Sequence, residues 1–164
     1  MKITTIALYA LTFLAGCATV GHPYPFPKAP DSSAELQIQG KAIYLLTLNE
    51  KGCYTGKTYV DGSPGAMPVR VVPDKPLIIS YEENVCMMPA SFTPQKDGHY
   101  RLIAREGHKP ADPDVPFFQS MMHIHDRECV VSVVEVDGDG QPVRPVKVKG
   151  LRPQQTALTC IKFR

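Results

Sequence analysis

The sequence predicts an all-β domain built as an antiparallel sandwich, on three observations. Short runs of β-branched and aromatic residues recur along the chain, each bounded by Gly, Pro, Asn or Asp in turn-forming combinations. The 164 residues include 16 Pro against 12 Gly, and prolines at this density interrupt helices by removing a backbone donor and clashing with the preceding turn. No segment of helical length carries apolar residues at a 3.6-residue period between recognisable caps. With 43% hydrophobic residues there is apolar material for one core.

The elements follow in order. Residues 42–48 form a β-rich run that stops at the turn Asn49-Glu50-Lys51-Gly52. Residues 57–60 precede the turn cluster Asp61-Gly62-Ser63-Pro64-Gly65, and runs at 69–72 and 77–81 come after it. Residues 90–93 lead through Pro94 and a turn at 95–98 into 100–105, where Tyr100, Leu102 and Ala104 share one face by two-residue alternation. The strongest strand is 129–136. Asp137-Gly138-Asp139-Gly140 turns it into a strand over 143–149, and a last strand over 156–163 closes the fold. The connection at about 106–127 is longer than ordinary loops. Within it Val115, Phe118, Met122 and His125 have helical spacing, but Pro113 and Pro116 limit any helix to one or two turns.

A formal charge of +2 is too mild for a nucleic-acid binder, whose electrostatic footprint is a strong basic excess. The amino terminus carries an address instead. Lys2 is followed by an apolar stretch from Ile3 to Phe13 and then by Leu14-Ala15-Gly16-Cys17. That stretch is shorter than the roughly 20 apolar residues a spanning helix needs, and it has the charge-then-apolar order of an export signal. The tetrad resembles the lipobox of bacterial lipoproteins. This resemblance implies that residues 1–16 are a cleaved signal peptide and that Cys17 becomes the amino terminus, with diacylglyceryl on its sulfur and an acyl chain such as palmitate on its amine. Several acyl chains hold a domain stably to a bilayer. Ala18 rather than Asp after the cysteine favours, by the same resemblance, the outer membrane, with the domain facing the periplasm.

Residues 17–35 then read as a tether, because His22-Pro23-Tyr24-Pro25-Phe26-Pro27 places proline at alternate positions. At about 3.1 Å per residue such an extended segment reaches on the order of 50 Å. Tyr24 and Phe26 are expected to pack on the rim of the domain, which occupies residues 36–164.

With Cys17 lipidated, Cys53, Cys86, Cys129 and Cys160 form an even set, the signature of a disulfide framework in an exported chain. Locality favours Cys53 with Cys86 and Cys129 with Cys160, each ring being worth about 3.5 kcal/mol of loop-closure entropy. Crossed and nested pairings stay open. Gly52-Cys53-Tyr54-Thr55-Gly56-Lys57, Cys86, the segment from Ser91-Phe92-Thr93-Pro94 to Gly98-His99-Tyr100, and Cys129-Val130-Val131-Ser132-Val133 together resemble small bacterial lipoproteins with an all-β domain. The likeness spans residues 41–163 and implies paired cysteines and a β fold without naming an activity.

Two groups of residues carry candidate binding chemistry. His123 and His125 would project to one strand face about 6–7 Å apart, close enough to share a metal. With Met121 and Met122 beside them, and His108, Met87 and Met88 as further candidates, the soft ligands suit copper. A methionine filling a gap in the core beneath a long loop is the competing and favoured explanation. After Asp139 no acidic residue follows, while Arg144, Lys147, Lys149 and Arg152 can contact anionic lipid phosphates or peptidoglycan carboxylates. Protection of a terminal strand edge is the structural alternative. Residues 52–58 imitate a P-loop with one residue too few between the glycines, and residues 137–140 lack the later Glu of a calcium loop. No nucleophile–base or paired-carboxylate arrangement stands out, so an enzyme is not expected and no cofactor is implied.

The sequence therefore points to a lipid-anchored outer-membrane lipoprotein whose domain resembles transthyretin- or immunoglobulin-like sandwiches. It would act as a structural or protein-interaction module. The alternatives are a periplasmic copper binder and an accessory lipoprotein of a secretion system.

Overall fold

The computed structural model describes residues 21–84, 86–108 and 127–164. Among these residues every regular element is a strand. One sheet orders β4 (Val69–Val71), β1 (Ala34–Gly40), β7 (His99–His108), β8 (Arg127–Val136) and β9 (Pro142–Val146). The second orders β10 (Lys149–Gly150), β6 (Cys86–Phe92), β5 (Leu77–Glu83), β2 (Ile43–Leu48) and β3 (Tyr54–Val60). A separate ribbon pairs β11 (Pro153–Ala157) with β12 (Cys160–Phe163). The expected sandwich stands. Its pairings are antiparallel with one exception, since β1 lies parallel to β7 with Leu36 opposite Tyr100 and Ile38 opposite Leu102.

Alternation explains the core. In β1, Ala34, Leu36 and Ile38 point inward and are buried while Glu35 and Gln39 are exposed. From the facing sheet Ile43, Leu45, Ile79, Tyr81 and Phe92 meet Leu36, Leu102 and Val133. Full burial of each large apolar side chain contributes about 1.5–3 kcal/mol. Between β6 and β7, Tyr100 Oη accepts the Gln95 backbone N–H at 2.9 Å. A tyrosine tied to backbone a few residues upstream is a recurrent corner device of β-sandwiches.

β5 departs from alternation, because Leu77 through Tyr81 are all buried. Its outer face is covered too: Leu46 and Ile78 pack with Leu151, and Tyr44, Leu48, Tyr54 and Phe163 close around them. The carboxy-terminal segment thus lies on the outside of the second sheet and makes a second, smaller core.

The disulfides correct the pairing that locality favoured. Cys53 bonds Cys160 and Cys86 bonds Cys129, with Cα–Cα distances of 5.0 and 5.7 Å. The arrangement is nested, because strands distant in sequence are neighbours in space. Cys86 opens β6 in one sheet and Cys129 lies in β8 of the other, so this bond ties sheet to sheet. Cys53 precedes β3 and Cys160 opens β12, so the other bond ties the ribbon to the second sheet.

Three further expectations change. The strand over 143–149 is two strands: β9 ends at Val146, and the chain crosses to the other sheet before β10. The strand over 156–163 belongs to a hairpin that turns at Leu158 and Thr159. The tether is docked from Gly21 onward. His22 donates its backbone N–H to Thr55 O at 3.0 Å, and Tyr24 donates its own to Thr58 Oγ1 at 2.7 Å. Tyr24 packs on the core and accepts the Val72 N–H at its hydroxyl. Gly56 permits this approach, since a Cβ there would meet His22 O at 2.5 Å. The rim packing expected of Tyr24 is present, and Phe26 stacks edge-on against it at 5.1 Å.

Pairing registers define two ends. Leu48, Tyr54 and Leu77 meet at one, together with the Cys53–Cys160 bond. At the other lie Val60, Glu83 and the Cys86–Cys129 bond, with His108 opposite Arg127 where β7 ends and β8 begins.

Each bond is expected to contribute about 2–5 kcal/mol in denaturant unfolding of the oxidised protein. Hydrogen exchange separates their roles. In a Cys53→Ala/Cys160→Ala variant the amides of β11 and β12 lose protection while β7 and β8 keep theirs. In a Cys86→Ala/Cys129→Ala variant protection falls across both sheets. Uniform loss in both variants would contradict the assignment.

Candidate interaction surface

The crossing from β9 to β10 lines a groove of about 900 Å³. Ile78, Phe92, Leu151 and Phe163 supply apolar walls, and Lys147 and Lys149 line it as well. Alternation survives the change of sheet: Val146 and Val148 turn toward the core while Lys147 and Lys149 are exposed. Among the described residues neither lysine has a carboxylate partner. Apolar walls beside two ammonium groups can hold an acyl chain or ring that carries a carboxylate or phosphate.

The other two cations singled out from the sequence are placed elsewhere. Arg144 donates from Nε to Glu135 Oε2 at 2.5 Å and lines a neighbouring depression with Tyr100 and Lys147. Arg152 lies at the base of the ribbon, exchanging backbone hydrogen bonds with Arg164 at 2.7 and 3.1 Å. Arg144 and Pro145 sit on the edge strand β9, where they also discourage further strand pairing.

His123, His125, Met121 and Met122 lie outside the described residues. Met87 is exposed, whereas Met88 packs partly on the core. Among the described residues no group of three or more His, Cys, Asp or Glu side chains converges as a metal site. No described helix is long and apolar enough to cross a membrane.

Near the Cys86–Cys129 end, charge is organised around Glu83. Lys41 Nζ donates to Glu83 Oε1 at 2.7 Å, and Tyr81 donates its hydroxyl to Oε2 at 3.2 Å. The Lys41 hydrogen bond holds the Glu83 carboxyl below its ordinary range, and the same bond holds Lys41 above its own. Burial, followed by the Glu83 charge, pushes the Tyr81 hydroxyl up to about 12. Beside them Asn84 donates to Glu106 at 3.2 Å, and Lys57 pairs with Glu82.

The outer-face cluster of Leu46, Ile78, Leu151 and Phe163 is the part of this surface that motif reading missed. Its signal was the unbroken apolar run at the start of β5, which requires cover on both faces.

No family model, curated protein or solved structure matches the chain. The fold and surface therefore carry the functional argument without a relative to lend an activity.

Removing the ammonium group with Lys41→Met is expected to raise the Glu83 titration midpoint toward the ordinary carboxylate range, as read by carboxyl-carbon NMR. In the unaltered protein Glu83 is depressed, so the pair's contribution exists above the unfolded carboxylate value and is lost as pH falls through the folded one. Lys41 is raised, so its share exists below the unfolded lysine value and is lost as pH rises through the folded one. The pair is exposed and its effect small. An unmoved Glu83 midpoint in the variant would contradict this coupling.

Proposed function

We propose that the protein is an outer-membrane lipoprotein, tied by diacylglyceryl and acyl chains on Cys17, whose domain serves as a non-catalytic interaction module facing the periplasm. Residues 1–16 are its signal peptide in this reading. The two disulfides support an oxidising compartment, because such bonds persist in exported proteins.

The observation that carries the reading is the docking of residues 21–24 along β3. Only three residues lie between Cys17 and Gly21, and those four residue steps span at most about 14 Å. The anchor would hold the domain close to the bilayer instead of on a 50 Å tether. Since residues 22 and 24 run beside β3 in the same direction, the anchored end is the one with the Cys53–Cys160 bond. The opposite end, where β7 and β8 meet their long connection, would face the periplasm and be available to an envelope protein. The groove beside Lys147 and Lys149 offers a second contact, for an anionic envelope component.

Cys17→Ser tests the anchor. In fractionated cells the unaltered protein is expected in outer membranes with acyl chains detectable by mass, and the variant is expected unlipidated and unprocessed by the lipoprotein route. A variant that is processed normally and stays membrane-bound at unaltered levels would overturn the proposal.

A further inference from the structure

We infer that the tip of the β11–β12 hairpin, with Leu158 at its apex, rests on the phospholipid bilayer beside the anchor and fixes which end of the domain faces the membrane. The inference rests on the Cys17 anchor proposed above and adds a second, protein-borne contact with the same membrane.

A lone exposed leucine is ordinary on a protein surface. Three features distinguish this one. It is 97% exposed at the turn of a hairpin whose residues Ala157, Leu158 and Thr159 include none of the usual turn formers, and Ile161 on the returning strand is also exposed. Its place is fixed by covalent and hydrogen bonds that lead to the anchor. Leu158 lies two residues from Cys160, whose bond to Cys53 sets their Cα atoms 5.0 Å apart. Cys53 lies two residues from Thr55, whose carbonyl accepts the His22 N–H at 3.0 Å. From Gly21 the chain to Cys17 can reach no farther than about 14 Å. The hairpin tip and the lipid-bearing residue therefore belong to the same end of the sandwich.

Charge is the third feature. Lys162 follows Ile161 on the hairpin, and Lys51 is exposed in the neighbouring turn, where Glu50 is the accompanying carboxylate. Arg152 and Arg164 sit at the hairpin base, and no acidic residue occurs after Asp139. An apolar tip flanked by ammonium and guanidinium groups matches the bilayer interface, where side chains enter the acyl boundary and cations meet phosphate. A bilayer is chosen over a protein partner because the anchor already brings this end to it.

The chain has no tryptophan, so one introduced indole reports alone. Leu158→Trp is made in the full lipidated protein, alongside Met67→Trp at an 85% exposed position in the connection between β3 and β4. Both are incorporated into vesicles of phosphatidylethanolamine and phosphatidylglycerol, with and without brominated acyl chains. The expected result is a shift of the Leu158→Trp emission to shorter wavelength and its quenching by brominated lipid, with Met67→Trp unshifted and unquenched. Protein that carries acyl chains by mass yet leaves the Leu158→Trp emission water-like overturns this inference while leaving the anchor standing. Equal quenching at both positions overturns it as well, since the domain would then lie without preferred orientation. A concentration-dependent shift in detergent without vesicles would assign the tip to a second copy of the chain instead. Protein without acyl chains would remove the anchor and this inference together.

Discussion

The bond between Cys53 and Cys160 holds the last hairpin against the outside of the second sheet, and much of the architecture follows from that placement. Ile78 and Leu46 face outward from that sheet and would be exposed if the carboxy-terminal segment left. Leu151, Phe163 and Tyr54 cover them, with the rings of Tyr54 and Phe163 at 6.1 Å in edge-on contact. Burial and cross-link support each other here, since the bond limits how far the cover can move and the cover gives the hairpin a reason to stay. The chain-entropy contribution for a loop of about 100 residues is near 4.7 kcal/mol. Because Cys86–Cys129 lies within the loop that Cys53–Cys160 closes, it shortcuts that loop, and the outer bond contributes less than its sequence separation implies.

The same bond gives the molecule polarity. It gathers the β2–β3 turn, the hairpin tip and the entry of residues 21–24 at one end, and leaves the sheet-to-sheet bond Cys86–Cys129 at the other. Between the ends, two of the four sheet edges carry features that discourage strand pairing. Residues 21–24 run along the outer edge of β3, and prolines at 142 and 145 mark β9 at the opposite edge of the other sheet.

Most strands were legible because their pattern is local. Alternation identified 100–105 and the β-branched run identified 129–136, and β7 and β8 contain both. The strand Ala34–Gly40 had an equally clear signal in Ala34, Leu36 and Ile38 alternating with polar residues, but the prolines before it carry the tether to residue 35 and so cut off the strand's first two residues. The crossing between Val146 and Lys149 was not legible, since a strand that changes sheets keeps its alternation. The turn at Leu158 and Thr159 was hidden because it lacks Gly, Pro, Asn and Asp. Disulfide connectivity depends on which strands become neighbours in space, and no local pattern contains that information. For the candidate surface, the cationic residues were visible in the sequence, whereas their separation into a groove pair, an ion-paired Arg144 and a hairpin-base Arg152 required the topology.

The carboxy-terminal hairpin is bonded to the chain just before β3, and the two sheets are bonded to each other. Proteolysis of the unreduced protein followed by mass spectrometry of the linked peptides tests it most directly. The expected result is one linked pair containing Cys53 with Cys160 and another containing Cys86 with Cys129. Peptides joining Cys53 to Cys86 and Cys129 to Cys160 would contradict it, because the hairpin would then be released from the second sheet and the polarity of the molecule lost.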